Sequence, residues 1–216
     1  MSGAETAQPL TLIYGGSFDP PHLAHTRLPA EAAGIVGADR LLYVPAGQPP
    51  HKTDRTLSSP EDRLAMLELA LADRPHTDIC TWELEQNGPS YTVHTLEHLR
   101  RKHPDARFRL LLGADMAAIF YQWHRPEQIL AMAEPLVMLR PPRTALDVLG
   151  ALPENLPPAE QQRWADRIVK VDPIDISSTE LRRHLQEGRY EHPAVTEALD
   201  PAVLGYIREK NLYRER

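Results

Sequence analysis

The stretch LTLIYGGSFDPPHLAH, Leu10 to His25, holds the most informative pattern in the chain. Leu10 to Tyr14 is a short apolar run without helical period, and it ends on Gly15-Gly16. The proline pair Pro20-Pro21 follows, and helical composition then runs from about Leu23 to Val36. This pattern is a strand that enters a tight loop and leaves it as a helix. Paired glycines let the backbone approach a ligand closely. A helix that starts near His22 offers free N–H groups and a positive dipole end, which together favour an anion. His22 and His25 are one helical turn apart, so both can face that anion. An imidazole can donate to a phosphate oxygen in either charge state. The same residues also suit a plain strand–turn–helix with two surface histidines, or a zinc pair that lacks a nearby third ligand. GxxxxGK[ST] and GxGxxG are both absent, which excludes a P-loop ATPase and an ordinary dinucleotide reader.

Moving outward, Arg40 to Val44 reads as a second strand closed by Pro45. Gly47 to Pro60 has no periodicity and is expected to be a mobile loop. Glu61 to Ala72 carries Leu64, Leu67 and Leu71 at helical spacing. Asp78 to Leu84 is a strand candidate, and Ser90 to Lys102 a helix with Ser90 as its N-cap. Phe108 to Leu112 is the next strand, ending at Gly113. A helical pair broken at Pro126 leads to a strand at Leu136 to Leu139. The proline-rich stretch from Pro141 to Pro158 suggests a surface excursion, followed by a strand at Arg167 to Val171. Helices from Ser177 to about Glu187 and from Pro201 to about Lys210 end the chain. Strands that alternate with helices, themselves nearly all apolar, imply an α/β fold: a parallel sheet with helices on both faces and a small C-terminal helical segment. The expected organisation is one domain over residues 8–175, with residues 176–216 packed against it. Ligands in such folds bind beyond the carboxyl ends of the strands. Chemistry is therefore expected just after Tyr14, Val44, Leu112 and Val171.

Composition narrows the class. The chain has 216 residues, 42% of them apolar, enough to bury a core unaided. Its single cysteine, Cys80, excludes a disulfide framework and a cysteine-rich zinc module. The formal charge of -6 argues against bulk nucleic-acid binding, which needs a cationic surface. No apolar run approaches membrane-spanning length, and the first residues lack the features of a secretory signal. These features predict a cytoplasmic protein without nucleic-acid or membrane partners, either a monomer or a homo-oligomer.

Several segments carry a resemblance. GGSFDPPHLAH is similar to the GGxFDPxHxGH signature of the nucleotidyltransferases in the adenylyltransferase superfamily. Ile176 to Arg182, ISSTELR, resembles the ISSTxIR motif of the same proteins. PAGQPPHK, Pro45 to Lys52, resembles a VPxxxPPHK loop, and NGPSYTVHTL, Asn87 to Leu96, a GPSYTxDTL segment. Gly113-Ala114-Asp115, then Trp123 and Ile129-Leu130, resembles a GxD…W…IL segment. Together they resemble the bacterial nicotinate mononucleotide adenylyltransferases over about Leu10 to Tyr213. Two positions depart from the pattern: Ala24 replaces a glycine, and His94 replaces an aspartate whose role does not carry over.

The resemblance implies a Rossmann-like fold and a reaction between ATP and nicotinate mononucleotide that gives nicotinate adenine dinucleotide and pyrophosphate. The attacking phosphate oxygen is already ionised at neutral pH, so catalysis reduces to positioning and charge neutralisation. The catalytic residues implied are His22, His25 and Arg182. ATP would be held by Gly15, Gly16, Ser17, Phe18, Lys52, Gly113, Asp115, Ser177, Ser178 and Thr179. Nicotinate mononucleotide would be held by Asp19, Ser90, Tyr91, Thr92 and Trp123, with Asp19 orienting the loop or helping to place magnesium. Mg2+ would accompany ATP with no assigned protein ligand. The helix N-terminus at Ser90 to Thr92 favours the nicotinate carboxylate over a carboxamide. Rival readings are transfer to nicotinamide mononucleotide or phosphopantetheine, and a non-catalytic nucleotide-binding protein.

Overall fold

The computed structural model describes residues 8–49, 57–139 and 143–214. Six parallel strands form one sheet: β1 (Leu10–Gly16), β2 (Arg40–Pro45), β3 (Thr77–Ile79), β4 (Arg107–Gly113), β5 (Glu134–Leu139) and β6 (Ile168–Lys170). Their order across the sheet is β3-β2-β1-β4-β5-β6. The chain winds outward one way from β1 and then the other way from β4. The strand order therefore reverses between β1 and β4, which opens a crevice at their carboxyl ends.

The strands are buried on both faces, so their apolar residues alternate between two cores. Ile13, Leu42, Val44, Leu110, Leu112 and Val137 face one side. Leu12, Leu41, Tyr43, Leu111, Leu136 and Met138 face the other. The first core is closed by α3 (Thr92–Lys102), α4 (Ala114–Ala118), α5 (Pro126–Met132), α6 (Ala145–Leu149) and α7 (Pro158–Asp166). The second is closed by α1 (Leu23–Val36) and α2 (Pro60–Leu71). A third cluster joins Met66 of α2 to α8 (Ser178–Gln186), α9 (Pro193–Thr196) and α10 (Pro201–Glu209). The C-terminal helices thus pack against the outside of α2.

Three expectations are corrected. The strand expected over Asp78 to Leu84 stops at Ile79, and Trp82–Glu85 turn as a 3-10 helix. That turn brings Glu83 inward, where it is buried and accepts from Thr95 Oγ1 at 2.5 Å. Ser90 does not cap α3: Tyr91 occupies the N-cap position, and the Ser90 hydroxyl instead accepts N–H from Gly47 and Gln48 at 2.9 and 3.1 Å. The stretch read as a surface excursion contributes to the core. Thr144 and Asp147 form a capping box that starts α6, which buries Val148, and Pro158 starts α7, which buries Trp164. Among the described residues no helix is long and apolar enough to cross a membrane.

Candidate active site

The loop after β1 is shaped from within. Phe18 adopts a left-handed backbone, φ 47°, and its ring folds back over Gly16. A Cβ on Gly16 would lie 2.9 Å from that ring, so glycine is required there by the protein itself. The Phe18 ring is 1% exposed and meets Tyr14, Tyr43 and His25. Its side chain therefore builds the loop, and only its backbone is left to meet a ligand.

α1 starts at this loop with His22 at the N-cap. The His22 N–H donates to Nδ1 of His25 at 3.3 Å, and the two rings stack with centroids 3.7 Å apart. Accepting at Nδ1 assigns the proton of the neutral His25 ring to Nε2. Tyr43 donates its hydroxyl to the His25 carbonyl at 2.8 Å and fixes this turn against β2. The expectation of free N–H groups here needs one correction: the Leu23 N–H donates to the Ala198 carbonyl at 2.8 Å. The histidine pair is thus tied to the C-terminal helices as well as to the sheet.

A cavity of about 230 Å³ lies at the switch point. Tyr14 lies toward the end of β1 beside it, Gly113 ends β4 and Met138 belongs to β5. His22 and His25 line one wall, and Ile176, Ser177 and Ser178 line another. Ala24, which replaces the glycine of the resembling motif, also borders this space with its methyl group. Two distant parts of the sequence thus line one cavity, which brings two imidazoles and the N-terminus of α8 to the same space.

Arg182 joins those two parts directly. Its Nη1 donates to the carbonyl of Asp19 at 2.7 Å, and its Nη2 donates to Thr179 Oγ1 at 3.0 Å. The Asp19 carboxylate is 3% exposed. It accepts from Tyr213 Oη at 2.7 Å and from the Ser58 N–H at 3.4 Å. Of the two roles expected for Asp19, this geometry serves the orientation of the loop. Burial and the neighbouring carboxylate push the Tyr213 hydroxyl far above its ordinary pKa. Ser17 is also buried, and its carbonyl accepts from Arg63 Nη1 at 3.0 Å.

The second expected half-site forms where the loop after β2 meets α3. Gly47 packs so closely on the 3-10 turn that a Cβ would lie 2.3 Å from the Glu83 carbonyl oxygen. Ser90 anchors Gly47 and Gln48, and its own N–H donates to the Gln48 carbonyl at 2.9 Å. Burial pushes the Glu83 carboxyl above its usual range, against the hydrogen bonds from Thr95 and Ser90. Tyr91 stands at the N-cap of α3 with its ring 4.5 Å from His124 and 5.8 Å from His94. Trp123 adjoins His124 and packs half-buried on Phe120, centroids 5.5 Å apart. Of these two rings His124 lies nearer to Tyr91, and no sequence motif singles it out.

Asp115 does not line the cavity. It is exposed in the first turn of α4 and pairs with Arg143 at 2.7 Å. Lys52 lies outside the described residues. Besides His124, three contributors escape a reading of the sequence: Arg63, Glu83 and Tyr213. Arg63 alone carried a signal, since it precedes Leu67 and Leu71 at helical spacing on the buried face of α2.

The family model described as cytidylyltransferase-like matches residues 13–184. A Bacillus pumilus protein named "Probable nicotinate-nucleotide adenylyltransferase" is 36% identical over 201 residues, covering 93% of this chain and 96% of that one. A protein of the same name from Roseiflexus is 37% identical over 207 residues, covering 94% and 96%. Among solved structures, the nicotinic acid mononucleotide adenylyltransferase of Plasmodium falciparum complexed with NaAD superposes with a TM-score of 0.72. That match covers 95% of this chain and 98% of that one at 20% identity, and it supports the fold. On these matches and the motifs that line the cavity, the chain belongs to the nicotinate-nucleotide adenylyltransferase family.

Proposed function

We propose that this protein transfers the adenylyl group of ATP to nicotinate mononucleotide, releasing pyrophosphate and nicotinate adenine dinucleotide for NAD biosynthesis. One observation carries this reading: the stacked His22–His25 pair lines the same cavity as Ser177 and Ser178, at the switch point of the sheet. The relatives' names supply the acceptor. The phosphate oxygen of the mononucleotide attacks the α-phosphorus of ATP, a new P–O bond forms, and the bond to the leaving pyrophosphate breaks. No proton need be removed from the nucleophile.

The chain's own groups position the phosphates and neutralise their charge. His25 presents Nε2–H to the α-phosphate in the transition state. The backbone of Gly15 to Phe18 borders the same phosphates. Ser178 and Thr179, at the start of α8, donate to the phosphate chain from the opposite wall, where the helix dipole favours negative charge. Arg182 adds a fixed positive charge beside them, and Lys52 supplies a second. Tyr91, Thr92 and Trp123 receive the nicotinate ring and its carboxylate, held in place by the contacts between Ser90 and residues 47–48.

Magnesium is part of the same proposal. The Asp19 carboxylate is engaged by Tyr213 and Ser58, and that of Asp115 by Arg143. Magnesium would then take its ligands from ATP phosphate oxygens and water, and would supply positive charge to the leaving pyrophosphate. A cytoplasmic location fits these substrates. Chromatography of a reaction containing ATP, magnesium and nicotinate mononucleotide tests the proposal. A new dinucleotide peak supports it, and unchanged substrates with folded protein refute it.

A further inference from the structure

We infer that Arg63 is a positioning residue that holds the two substrate half-sites in register. Its guanidinium is 1% exposed at the start of α2. Nη1 donates to the Ser17 carbonyl at 3.0 Å and to the Ala46 carbonyl at 2.7 Å. Nη2 donates to the Gly47 carbonyl at 3.4 Å, and Nε to the Ser58 carbonyl at 3.2 Å. One side chain thus binds the loop after β1 and both ends of the connection between β2 and α2.

Each of these three segments leads to a different part of the site. Ser17 belongs to the loop after β1 and lies between Gly16 and the turn that carries His22. Ala46 and Gly47 continue into the contacts with Ser90, at the entrance to Tyr91 and Thr92. Ser58 donates its N–H to the Asp19 carboxylate, which also accepts from Tyr213. A shift of the guanidinium would therefore move the phosphate loop and the mononucleotide loop relative to one another.

A buried cation is not what stability alone selects. Desolvation of a charge is costly, and a well-packed apolar side chain is often as stable or more so. Here the planar fork suits its place: it donates in several fixed directions, whereas a lysine ammonium is a single point. Near-attack geometry is sensitive, since a misplacement of about 1 Å can cost about 10²-fold in rate. The arrangement explains why four carbonyl oxygens from two loops converge on one helix residue.

The inference rests on the proposed reaction, and two readouts separate their failures. In Arg63→Lys, kcat should fall by about 10²-fold, and KM should rise for both ATP and nicotinate mononucleotide. Arg63→Met, which keeps an apolar stem in the same space, serves where the lysine variant does not fold. Leu71→Ala, on the same helix and buried in the sheet-side core, supplies a control that lowers Tm and leaves kcat and both KM values near wild type. Hydrogen exchange provides a readout independent of turnover: amides around 16–19, 46–48 and 57–59 should lose protection together in the Arg63 variant. A wild-type chain that makes no dinucleotide defeats the proposed function, while this exchange pattern still reports on Arg63. Wild-type kcat in a folded Arg63 variant would overturn the inference. So would an equal loss of kcat in Leu71→Ala, or loss of protection in only one of the three segments.

Discussion

The guanidinium of Arg182 donates to the main-chain carbonyl of Asp19 at 2.7 Å, joining residues 163 positions apart in the chain. This bond ties the start of α8 to the loop after β1, so the walls of the phosphate cavity form one unit. The same loop is held from behind by Tyr213, through the Asp19 carboxylate. Geometry at the α-phosphate thus depends on both ends of the chain.

Arg182→Ala removes a positive charge and a tether together. Loss of one preorganised donor at a transition state costs about 10²–10³ in rate. We expect kcat to fall by at least about 10²-fold with folding retained, measured by steady-state kinetics and thermal melting. A variant with near wild-type kcat would place Arg182 outside the reaction.

His25→Ala should lower kcat by a similar factor of about 10²–10³ and change the binding of ATP far less. The reason is the fixed Nε2–H, which follows from the His22 N–H at Nδ1. Titration calorimetry with a non-hydrolysable ATP analogue checks the binding half. Equal losses in binding and turnover would show that the ring holds the ground state instead.

Gly47→Ala should raise KM for nicotinate mononucleotide more than KM for ATP. The added methyl group would sit 2.3 Å from the Glu83 carbonyl oxygen, so the loop must move away from Ser90. Forced repacking of this kind costs about 1–3 kcal/mol. Unchanged KM values for both substrates would show that this loop does not reach the acceptor.

Stability should decline at high pH, and the sign follows from two tyrosines. Burial raises the hydroxyl pKa of Tyr43 and of Tyr213, the latter also through Asp19. Above about pH 10 the unfolded chain releases these protons while the folded chain keeps them, so ionisation favours unfolding. Each group costs about 1.4 kcal/mol per pH unit in that range. Urea midpoints should be flat with respect to these groups below pH 10 and fall above it. Tyr213→Phe should make the fall shallower, while lowering stability at neutral pH by about 1–3 kcal/mol for the carboxylate left without its donor. An equally steep fall in that variant would contradict the buried Tyr213–Asp19 contact.

Much of this architecture is legible in local sequence. Helix α1 runs over Leu23–Val36 as its composition indicates, because the prolines before it and Gly37 after it bound it. β1, β2, β4 and β5 are apolar runs bounded by glycine or proline, and they extend only a residue or two beyond the expected limits. The parts that local patterns miss depend on distant partners. Glu83 looks like a surface acid until Thr95 and Ser90 are seen to meet it. Ser90 has the chemistry of an N-cap, yet the amides of Gly47 and Gln48 claim its oxygen. Leu64 has the right spacing for the core, but α2 turns Arg63 and Met66 inward and leaves Leu64 half-buried. α7 hides behind prolines that begin helices as readily as they break them. The phosphate motifs were readable because glycines, imidazoles and hydroxyls lie close together in sequence. The residues that hold them in place, Arg63 and Tyr213, act through contacts that only the fold creates.

If the cavity between His22, His25 and Ser178 drives adenylyl transfer to nicotinate mononucleotide, pyrophosphate release from ATP and magnesium should depend on the acceptor. Compared across nicotinate mononucleotide, nicotinamide mononucleotide and phosphopantetheine, release should be rapid with the first and much slower with the other two. Equal rates with the amide, preference for phosphopantetheine, or no release with any acceptor would contradict this.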